Sequence, residues 1–315
     1  MPARPVSPTA SASPTLRFAP SPNGRLHLGH AYSALLNAGF AERLGARLLL
    51  RIEDIDPVRS RPELIEAIRD DLAWLGLRFD GAVRRQSEHL PFYARALDDL
   101  TARGLAYPCF CSRKAIAARV AALEEGGAVV RDPDGTPLYP GTCRALPPAM
   151  AEARRAAGEP HTWRLDMARA LAAAPGPHSF RCFAVSGEAG TFLPLREEGT
   201  RASIVEHDGT AHPTRWGDAV IARRDVPTSY HLAVVLDDAA QAVTHVVRGQ
   251  DLEAATDLHV LLQRLLDLST PAYHHHGLIR EGDGRKLAKS RGSESLADLR
   301  AQGVGASEVR AMLGF

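Results

Sequence analysis

Lysine is almost absent from this chain of 315 residues, because all but three of its 38 basic residues are arginine. The three are Lys114, Lys286 and Lys289, and the last two lie together in GRKLAKS, residues 284–290. A lysine carries a compact charge on a flexible stem, which suits contact with a moving phosphate. The alternative interpretation is a solvated turn in which two charges cluster by chance.

The chain also lacks a strong net charge and a long apolar run. Its formal charge is +1, so any contact with RNA must come from a local basic patch. No apolar segment approaches the roughly 20 residues of a membrane span. The first 15 residues have the Pro, Ser and Ala content of a disordered tail and no secretory signal. We therefore expect a cytoplasmic protein with no membrane partner and a monomer as the default state.

Cysteine is scarce, and one phosphate-binding motif is missing. The four cysteines are Cys109, Cys111, Cys143 and Cys182. In a reducing compartment they favour metal binding or buried thiols over disulfides. The chain has no Walker loop, GxxxxGK followed by Ser or Thr, so a phosphate would have to be bound in another way.

The apolar pattern predicts an α/β protein with a parallel sheet. Residues 16–20 form a strand that ends at a Pro-rich turn, a helix follows and stops at Gly45, and residues 46–56 form a second strand. This order is a βαβ unit, in which the two strands are parallel. A second helix is predicted to begin at Pro62.

A smaller module is predicted to interrupt this fold, because Pro, Gly, Cys and Arg become frequent after residue 105. Strand-like runs then return as DAVIARRD, YHLAVVLDD and THVVRG, and a helix is predicted over 252–267. The predicted regions are a disordered tail at 1–15, a split Rossmann-type catalytic domain at 16–104 and 195–268, the insert at 105–194, and a lysine loop with a short helical region at 269–315.

The turn PSPNGRLHLGH, residues 20–30, follows the first strand and opens the first helix. Ligands bind at this place in open α/β sheets, and the N–H groups of a helix start favour phosphate. Gly29 permits close approach of a charged ligand, and His27 and His30 can hydrogen-bond a phosphoryl group. From the residues alone, the histidine pair could equally be a helix cap or a surface feature.

HLGH at 27–30 together with KLAKS at 286–290 resembles the two signature motifs of class I aminoacyl-tRNA synthetases, usually written HIGH and KMSKS. The segments RFAPSPNGRLHLGH, RIEDID, QSEH, YPCFC, YPGTCR, SYHLAVVLDD and VVRGQDL are similar, in this order, to the glutamyl branch of that family. A full glutamyl-tRNA synthetase has a large anticodon-binding region after its lysine loop, whereas about 25 residues follow KLAKS. The chain therefore resembles the glutamyl-queuosine tRNA(Asp) synthetases, stand-alone paralogues of the catalytic domain.

The resemblance implies an enzyme that uses ATP, with Mg²⁺, to activate L-glutamate as glutamyl-AMP. The glutamate would then be joined to the queuosine base at the anticodon wobble position of tRNA(Asp). Two alternatives stay open at this point. One is a compact glutamyl-tRNA synthetase that charges the tRNA 3′ end, and the other is a non-catalytic zinc-bearing RNA-binding paralogue.

The resemblance also implies roles for individual residues. The expected catalytic residues are His27, His30, Lys286 and Lys289. The residues expected to contact ATP are His27, Gly29, His30 and Lys289. The residues expected to line the glutamate pocket are Arg17, Phe18, Ala19, Pro20, Ser21, Glu53, Tyr230 and Arg248. Without the motifs, Arg17 or Glu53 could be part of a surface salt bridge and Tyr230 a core aromatic residue.

In the insert, Cys109, Cys111, Tyr139 and Cys143 resemble the structural zinc site of the family, with three thiolates and an unusual tyrosine ligand. Zinc takes four donors in a tetrahedron. Cys182 could replace Tyr139, although its apolar setting suits a buried thiol. The histidines at 274–276 also suggest a metal, but adjacent residues do not share one face of a strand, so we favour a structural or substrate-side role.

Two departures from the family pattern limit the transfer of roles. Asp257 and Leu258 occupy the region in which the family often has an Arg-Gln pair, which puts ATP contacts from this helix in doubt. Ala288 stands in KLAKS where a serine is usual. Neither change removes a histidine or a lysine of the two signature motifs, so we expect neither to inactivate the protein.

Overall fold

The computed structural model describes residues 13–185, 204–279 and 294–315. Lys286 and Lys289, both predicted as catalytic residues, lie outside the described residues. Among the helices of these three ranges, none combines the length and the apolar character needed to cross a membrane.

The predicted βαβ unit is present, and its two strands are parallel. Strand β1 (Thr15–Phe18) pairs with β2 (Arg47–Ile52), and helix α1 (Leu28–Leu44) connects them. Gly45 ends this helix with a φ of 58°, in the left-handed region where a residue with a Cβ is strained. The first strand begins at Thr15, the last residue of the predicted tail.

The remaining elements follow in chain order. After β2 come α2 (Pro62–Trp74), β3 (Arg84–Arg85), α3 (Leu90–Ala102), β4 (Ala106–Cys109), α4 (Arg113–Glu124), α5 (Pro148–Ala156), β5 (Thr162–Leu165), α6 (Met167–Ala173) and β6 (His178–Val185). The later elements are β7 (Ile204–Ala211), β8 (Val220–Ala222), α7 (Tyr230–Ala240), β9 (His245–Gly249), α8 (Thr256–Leu265), β10 (Ala272–His276), α9 (Leu296–Ala301) and α10 (Ala306–Met312).

Two sheets lie side by side in the predicted catalytic domain, and we call them together the catalytic sheet. One sheet has the order β1-β2-β3, and the other has the order β7-β6-β10-β9. The N–H of Thr244, immediately before β9, donates to the carbonyl oxygen of Thr15 at 3.0 Å, so β1 and β9 start side by side. Strands β6, β9 and β10 are parallel, and β7 is antiparallel to β6.

The insert contains a separate antiparallel sheet of β4, β5 and β8. Strand β8 comes from the range 195–268, whereas β6, from the range 105–194, pairs with β10 in the catalytic sheet. Both pairings therefore cross the predicted end of the insert at residue 194. The division of the chain into domains stays a prediction.

The segment YHLAVVLDD is helix α7, so its prediction as a strand is wrong. Most of the helix is buried, and a buried helix and a buried strand both give a continuous apolar run. Ser229 marks the start of the helix, because its side chain accepts the N–H of Leu232. The other predictions in this region are confirmed, since DAVIARRD contains β8, THVVRG contains β9, and α8 lies within 252–267.

The chain after residue 293 packs against the first βαβ unit. Leu296 belongs to the same core cluster as Leu35 of α1. The N–H of Leu296 donates to the carbonyl oxygen of Leu26 at 2.8 Å, and Ser295 forms an isolated β-bridge with His27. The chain therefore returns to the HLGH turn a few residues after KLAKS.

Candidate active site and cysteine cluster

A cavity of about 620 Å³ lies beside the end of β1, the start of α1 and the end of β9, and we call it the main cavity because the predicted substrate residues line it. Its lining includes every described residue that was predicted to bind ATP or glutamate. These residues are Arg17, Phe18, Ala19, Pro20, Ser21, His27, Gly29, His30, Glu53, Tyr230 and Arg248. The fold thus brings together residues from distant parts of the chain, while their individual roles stay predictions.

The two histidines of HLGH form the cap of helix α1. The Nδ1 atom of His27 accepts the N–H of Gly29 at 3.1 Å, and the Nδ1 atom of His30 accepts the N–H of His27 at 3.2 Å. A Cβ atom at position 29 would lie 3.0 Å from the Cε1 atom of His27, so a side chain there would displace the ring. The cap interpretation and the ligand interpretation are therefore compatible, since the capping rings also line the main cavity.

A buried network of charged side chains supports the wall of the main cavity. Asp238 accepts the Nε–H of Arg17 at 3.0 Å and an Nη1–H of Arg51 at 2.7 Å. Arg51 also donates to Glu53 at 3.2 Å. Burial raises the pKa of Glu53, and the neighbouring Arg51 and Arg17 oppose this effect only in part. Arg17 is buried, which excludes the alternative of a surface salt bridge.

Asp237 extends the network to the other side of Arg51. Its carboxylate accepts hydrogen bonds from Arg84 at 2.7 Å, from Gln86 at 2.8 Å and from the hydroxyl of Tyr93 at 2.9 Å. Such partners are required, because an isolated buried carboxylate is very unfavourable. The sequence analysis did not assign these groups, although two acids at the end of the apolar run SYHLAVVLDD were a signal of buried charge.

Arg248 is held at the main cavity by a chain of three histidines. Its Nε–H donates to His275 at 3.3 Å, its Nη2 atom donates to the Thr256 hydroxyl at 2.7 Å, and its Nη1 atom lies 3.1 Å from His259. His259 in turn lies 3.2 Å from His231. Burial and the charge of Arg248 lower the pKa of His275 to about 3 and that of His231 to about 4. Both rings are therefore neutral near pH 7 and add no positive charge beside the arginine.

The three consecutive histidines of β10 alternate between the two faces of the strand, as predicted. His275 contacts Arg248 and stacks with Tyr273, whereas His274 packs against Phe40 on the opposite face. His276 lines the main cavity. Within the described ranges these histidines form no metal-binding group. The contacts fit a structural role for His274 and His275 and a substrate-side position for His276.

Three cysteine thiols converge in the insert. The Sγ atoms of Cys109, Cys111 and Cys143 all lie within 4.8 Å of one another. The hydroxyl of Tyr139 lies 3.4 Å from the Sγ atom of Cys111 and accepts the N–H of Cys143 at 2.8 Å. A tetrahedral zinc ion with Zn–S distances of about 2.3 Å places its sulfur ligands roughly 3.8 Å apart. The donor types and their spacing therefore fit zinc.

The three thiols of the cluster do not share one environment, since burial raises the pKa of Cys111 to about 11. Burial raises the pKa of Cys109, but hydrogen bonds from Tyr139 and Arg164 outweigh this effect and hold the pKa below its usual value. The guanidinium of Arg164 also lies over the Tyr139 ring, 3.9 Å from its centre. Cys182 is not a member of the cluster, since it lies on β6 and pairs with His207 of β7. The geometry thus favours Tyr139 over Cys182 at the fourth position.

The chain was compared with known proteins. Residues 15–174 and 198–313 match the family described as tRNA synthetases class I (E and Q), catalytic domain. The chain belongs to the class I tRNA synthetases. It is therefore a ligase, as the two signature motifs predicted, and it has the α/β fold with a parallel sheet that the apolar pattern predicted.

Several relatives match this synthetase over most of its length. The glutamyl-Q tRNA(Asp) synthetase of Rhodobacter capsulatus is 45% identical over 303 residues, which are 95% of this chain and 99% of the relative. The glutamyl-Q tRNA(Asp) synthetase of Symbiobacterium thermophilum is 39% identical, over 95% of this chain and 85% of the relative. These relatives confirm the resemblance that the sequence motifs indicated.

Solved structures show the same family relation. The synthetase is similar to a glutamate tRNA ligase from Elizabethkingia meningosepticum in complex with its amino acid, with a TM-score of 0.67 and 27% identity. The match covers 89% of this chain and 53% of that one, so this chain spans about half the length of that ligase.

Asp257, the departure from the family pattern in α8, has a structural role in this synthetase. Its buried carboxylate accepts the N–H of His212 at 2.8 Å and the indole N–H of Trp216 at 3.2 Å, and it pairs with Arg215. It does not line the main cavity. The residue therefore fixes the segment before β8, and nothing in its contacts points to ATP.

Proposed function

We propose that this synthetase activates L-glutamate with ATP and transfers the glutamate to the queuosine base at the wobble position of tRNA(Asp). The convergence of the HLGH turn, Arg17, Glu53, Tyr230 and Arg248 on one cavity carries this proposal. The names of relatives that match over nearly their whole length support the acceptor. A cytoplasmic location and a monomer remain predictions.

The glutamate would bind between the two arginines of the main cavity. A guanidinium carries five N–H donors. Within the described part of the chain, Arg17 uses one of them on Asp238, and Arg248 uses three on its neighbours, so both retain donors for a carboxylate. Glu53 and the Tyr230 hydroxyl would accept the substrate ammonium, whose charge favours the ionised form of Glu53.

ATP would lie at the start of α1, where the helix N-terminus favours negative charge. A carboxylate oxygen of glutamate attacks the α-phosphorus in line, and pyrophosphate leaves. His27 and His30 would contact the phosphates, and Mg²⁺ would accompany the nucleotide. Lys286 and Lys289 would contact the departing phosphates. Described residues on both sides of them in the chain support this role, because Ile279 lines the main cavity and Ser295 pairs with His27.

The cysteine cluster with Tyr139 would hold one structural Zn²⁺. The ligands come from two chain segments, residues 109–111 and 139–143, that are joined by a long connection containing α4. A zinc ion would therefore clamp these segments together, and it has no part in the chemical step that we propose.

Two measurements test the proposed function. Pyrophosphate exchange with glutamate and ATP, with and without tRNA, reports formation of glutamyl-AMP. Transfer is then followed with labelled glutamate and a tRNA(Asp) that lacks its 3′-terminal adenosine, with or without queuosine. We expect label only on the queuosine-containing tRNA, and none after periodate has cleaved the cyclopentenediol.

Each alternative predicts a different result. Label on the intact 3′ end of tRNA(Glu), with none on the shortened tRNA(Asp), would identify a compact glutamyl-tRNA synthetase. Absence of exchange under every condition would identify a non-catalytic RNA-binding paralogue.

A further inference from the structure

A smaller cavity of about 240 Å³ adjoins the main cavity, and we call it the side cavity. Ser21, Asn23, Glu53 and Tyr230 line both cavities. The other residues that line the side cavity are Ile55, Asp56, Arg59, Ser60, Gln86 and Arg223. None of these six was assigned to glutamate or ATP. The side cavity therefore offers a second binding place in direct contact with the first.

The charged groups of the side cavity balance one another. Asp56 accepts the Nε–H of Arg59 at 2.8 Å and an Nη1–H of Arg223 at 3.0 Å. Asp225, which does not line the cavity, pairs with Arg223 through two further hydrogen bonds of 3.0 and 2.7 Å. Two guanidinium groups thus meet two carboxylates. A phosphate would find little net positive charge here, so a neutral polar ligand fits better.

Hydrogen-bonding capacity nevertheless remains on the walls. Of the five N–H donors of a guanidinium, Arg223 uses three and Arg59 uses one within the described part of the chain. Glu53 and the hydroxyls of Ser60 and Tyr230 supply acceptors on the same walls. Each hydroxyl group of a ligand both donates and accepts, so a small ring with two hydroxyls matches this mixture.

The side cavity lies where the catalytic sheet meets the insert. Asp56 and Arg59 follow β2, whereas Arg223 follows β8 of the insert sheet. The next residue, Arg224, donates to the carbonyl oxygen of Cys111 at 2.7 Å. Residues 27–30 do not line the side cavity. A ligand in the side cavity would therefore reach Glu53 and Tyr230 while ATP occupies the helix start.

We infer that the side cavity holds the cis-diol of the acceptor nucleoside, bound by Arg59 and Arg223, while glutamyl-AMP lies in the main cavity. This inference rests on the proposed function. One hydroxyl oxygen of the diol attacks the carbonyl carbon of glutamyl-AMP, and the bond from that carbon to the phosphate oxygen breaks. AMP leaves with the electron pair of that bond, and the hydroxyl proton passes to a phosphate oxygen of AMP.

The variants Arg59→Met and Arg223→Met test the inference, because methionine removes the donors and keeps much of the side-chain volume. We expect transfer to queuosine-containing tRNA(Asp) without its 3′-terminal adenosine to fall about tenfold or more, as for loss of one hydrogen bond to a charged group. Pyrophosphate exchange should stay within about twofold of the unaltered protein. Arg69→Met is the matched control, since Arg69 is 53% exposed and lines neither cavity, and the change should leave both steps nearly unchanged.

The outcomes separate the two proposals. If the unaltered protein does not label the queuosine-containing tRNA, the proposed function is wrong. If it does, and both arginine variants transfer at the original rate or lose exchange and transfer equally, the side-cavity inference is overturned. Should Arg223→Met unfold, Arg59→Met decides alone, because the Arg59 side chain is 63% exposed and its loss leaves the fold intact.

Discussion

The charged network under the main cavity and the cysteine cluster of the insert differ in whether the chain itself supplies a partner of opposite charge for their polar groups. In the network, the carboxylates of Asp237 and Asp238 meet guanidinium groups of the same chain, so positive and negative charges are already paired. In the cluster, three thiols and a phenol converge on one another. The first arrangement is neutralised by the chain itself, whereas the second collects donor types that suit a zinc ion.

The largest expected effect comes from breaking the network. Asp238→Ala removes the carboxylate shared by Arg17 and Arg51 and should lower the free energy of unfolding by about 3–5 kcal/mol, because buried Arg17 loses its ion-pair partner and Arg51 keeps only Glu53 and the more distant Asp237. Urea denaturation measures this. The exposed pair of Glu66 and Arg69 provides the control, and Glu66→Gln should cost less than about 1 kcal/mol. Equal losses in the two variants would show that the network contributes no more than a surface ion pair.

Zinc should stabilise the protein through the cysteine cluster, because a ligand that binds the folded state and not the unfolded state raises the free energy of unfolding. At a free Zn²⁺ concentration of about 100 times Kd, we expect the free energy of unfolding of the reduced protein to rise by about 2.7 kcal/mol. Cys143→Ser should abolish this gain, and Cys182→Ser should retain it, since Cys182 lies outside the cluster. Thermal unfolding with and without zinc measures the effect. A gain that disappears in Cys182→Ser would contradict the assignment of the ligands.

The histidine chain beside Arg248 should make stability depend on pH. Because the pKa of folded His231 is about 4 and that of folded His275 about 3, both below the ordinary 6.5, the unfolded state binds more protons as the pH falls below about 6.5. The free energy of unfolding should therefore fall by about 1.4 kcal/mol per pH unit for each histidine, down to about pH 4. His231→Phe should reduce the slope of the free energy of unfolding against pH by the contribution of one histidine. Urea denaturation at several pH values measures this slope, and an unchanged slope would contradict the conclusion that His231 is neutral in the folded protein.

The smallest expected effect concerns the tyrosine of the cluster. Tyr139→Phe should weaken zinc binding by about tenfold, because three thiolates still supply most of the affinity. Competition with a chromophoric chelator measures the Kd. An unchanged Kd would remove Tyr139 from the ligand set and leave its hydroxyl with the contacts to the Sγ atom of Cys111 and the N–H of Cys143.

Predictions from the sequence succeeded where the determining residues are close together in the chain. The cap residues of α1, the stop at Gly45 and the parallel βαβ unit all depend on local signals. The helix α7 was missed because burial on most sides hides its periodicity. The pairing of Arg51 with Asp238, 187 positions away, depends on how α7 packs against β2, and no local pattern encodes it.

The cap at the start of α1 also determines which nitrogen of each histidine carries the hydrogen. The Nδ1 atoms of His27 and His30 both accept backbone N–H groups, so each neutral ring has its proton on Nε2. The backbone thus selects one tautomer for both rings before a nucleotide arrives. In the proposed reaction, each ring would offer ATP its Nε2–H group while its Nδ1 atom stays hydrogen-bonded to the backbone.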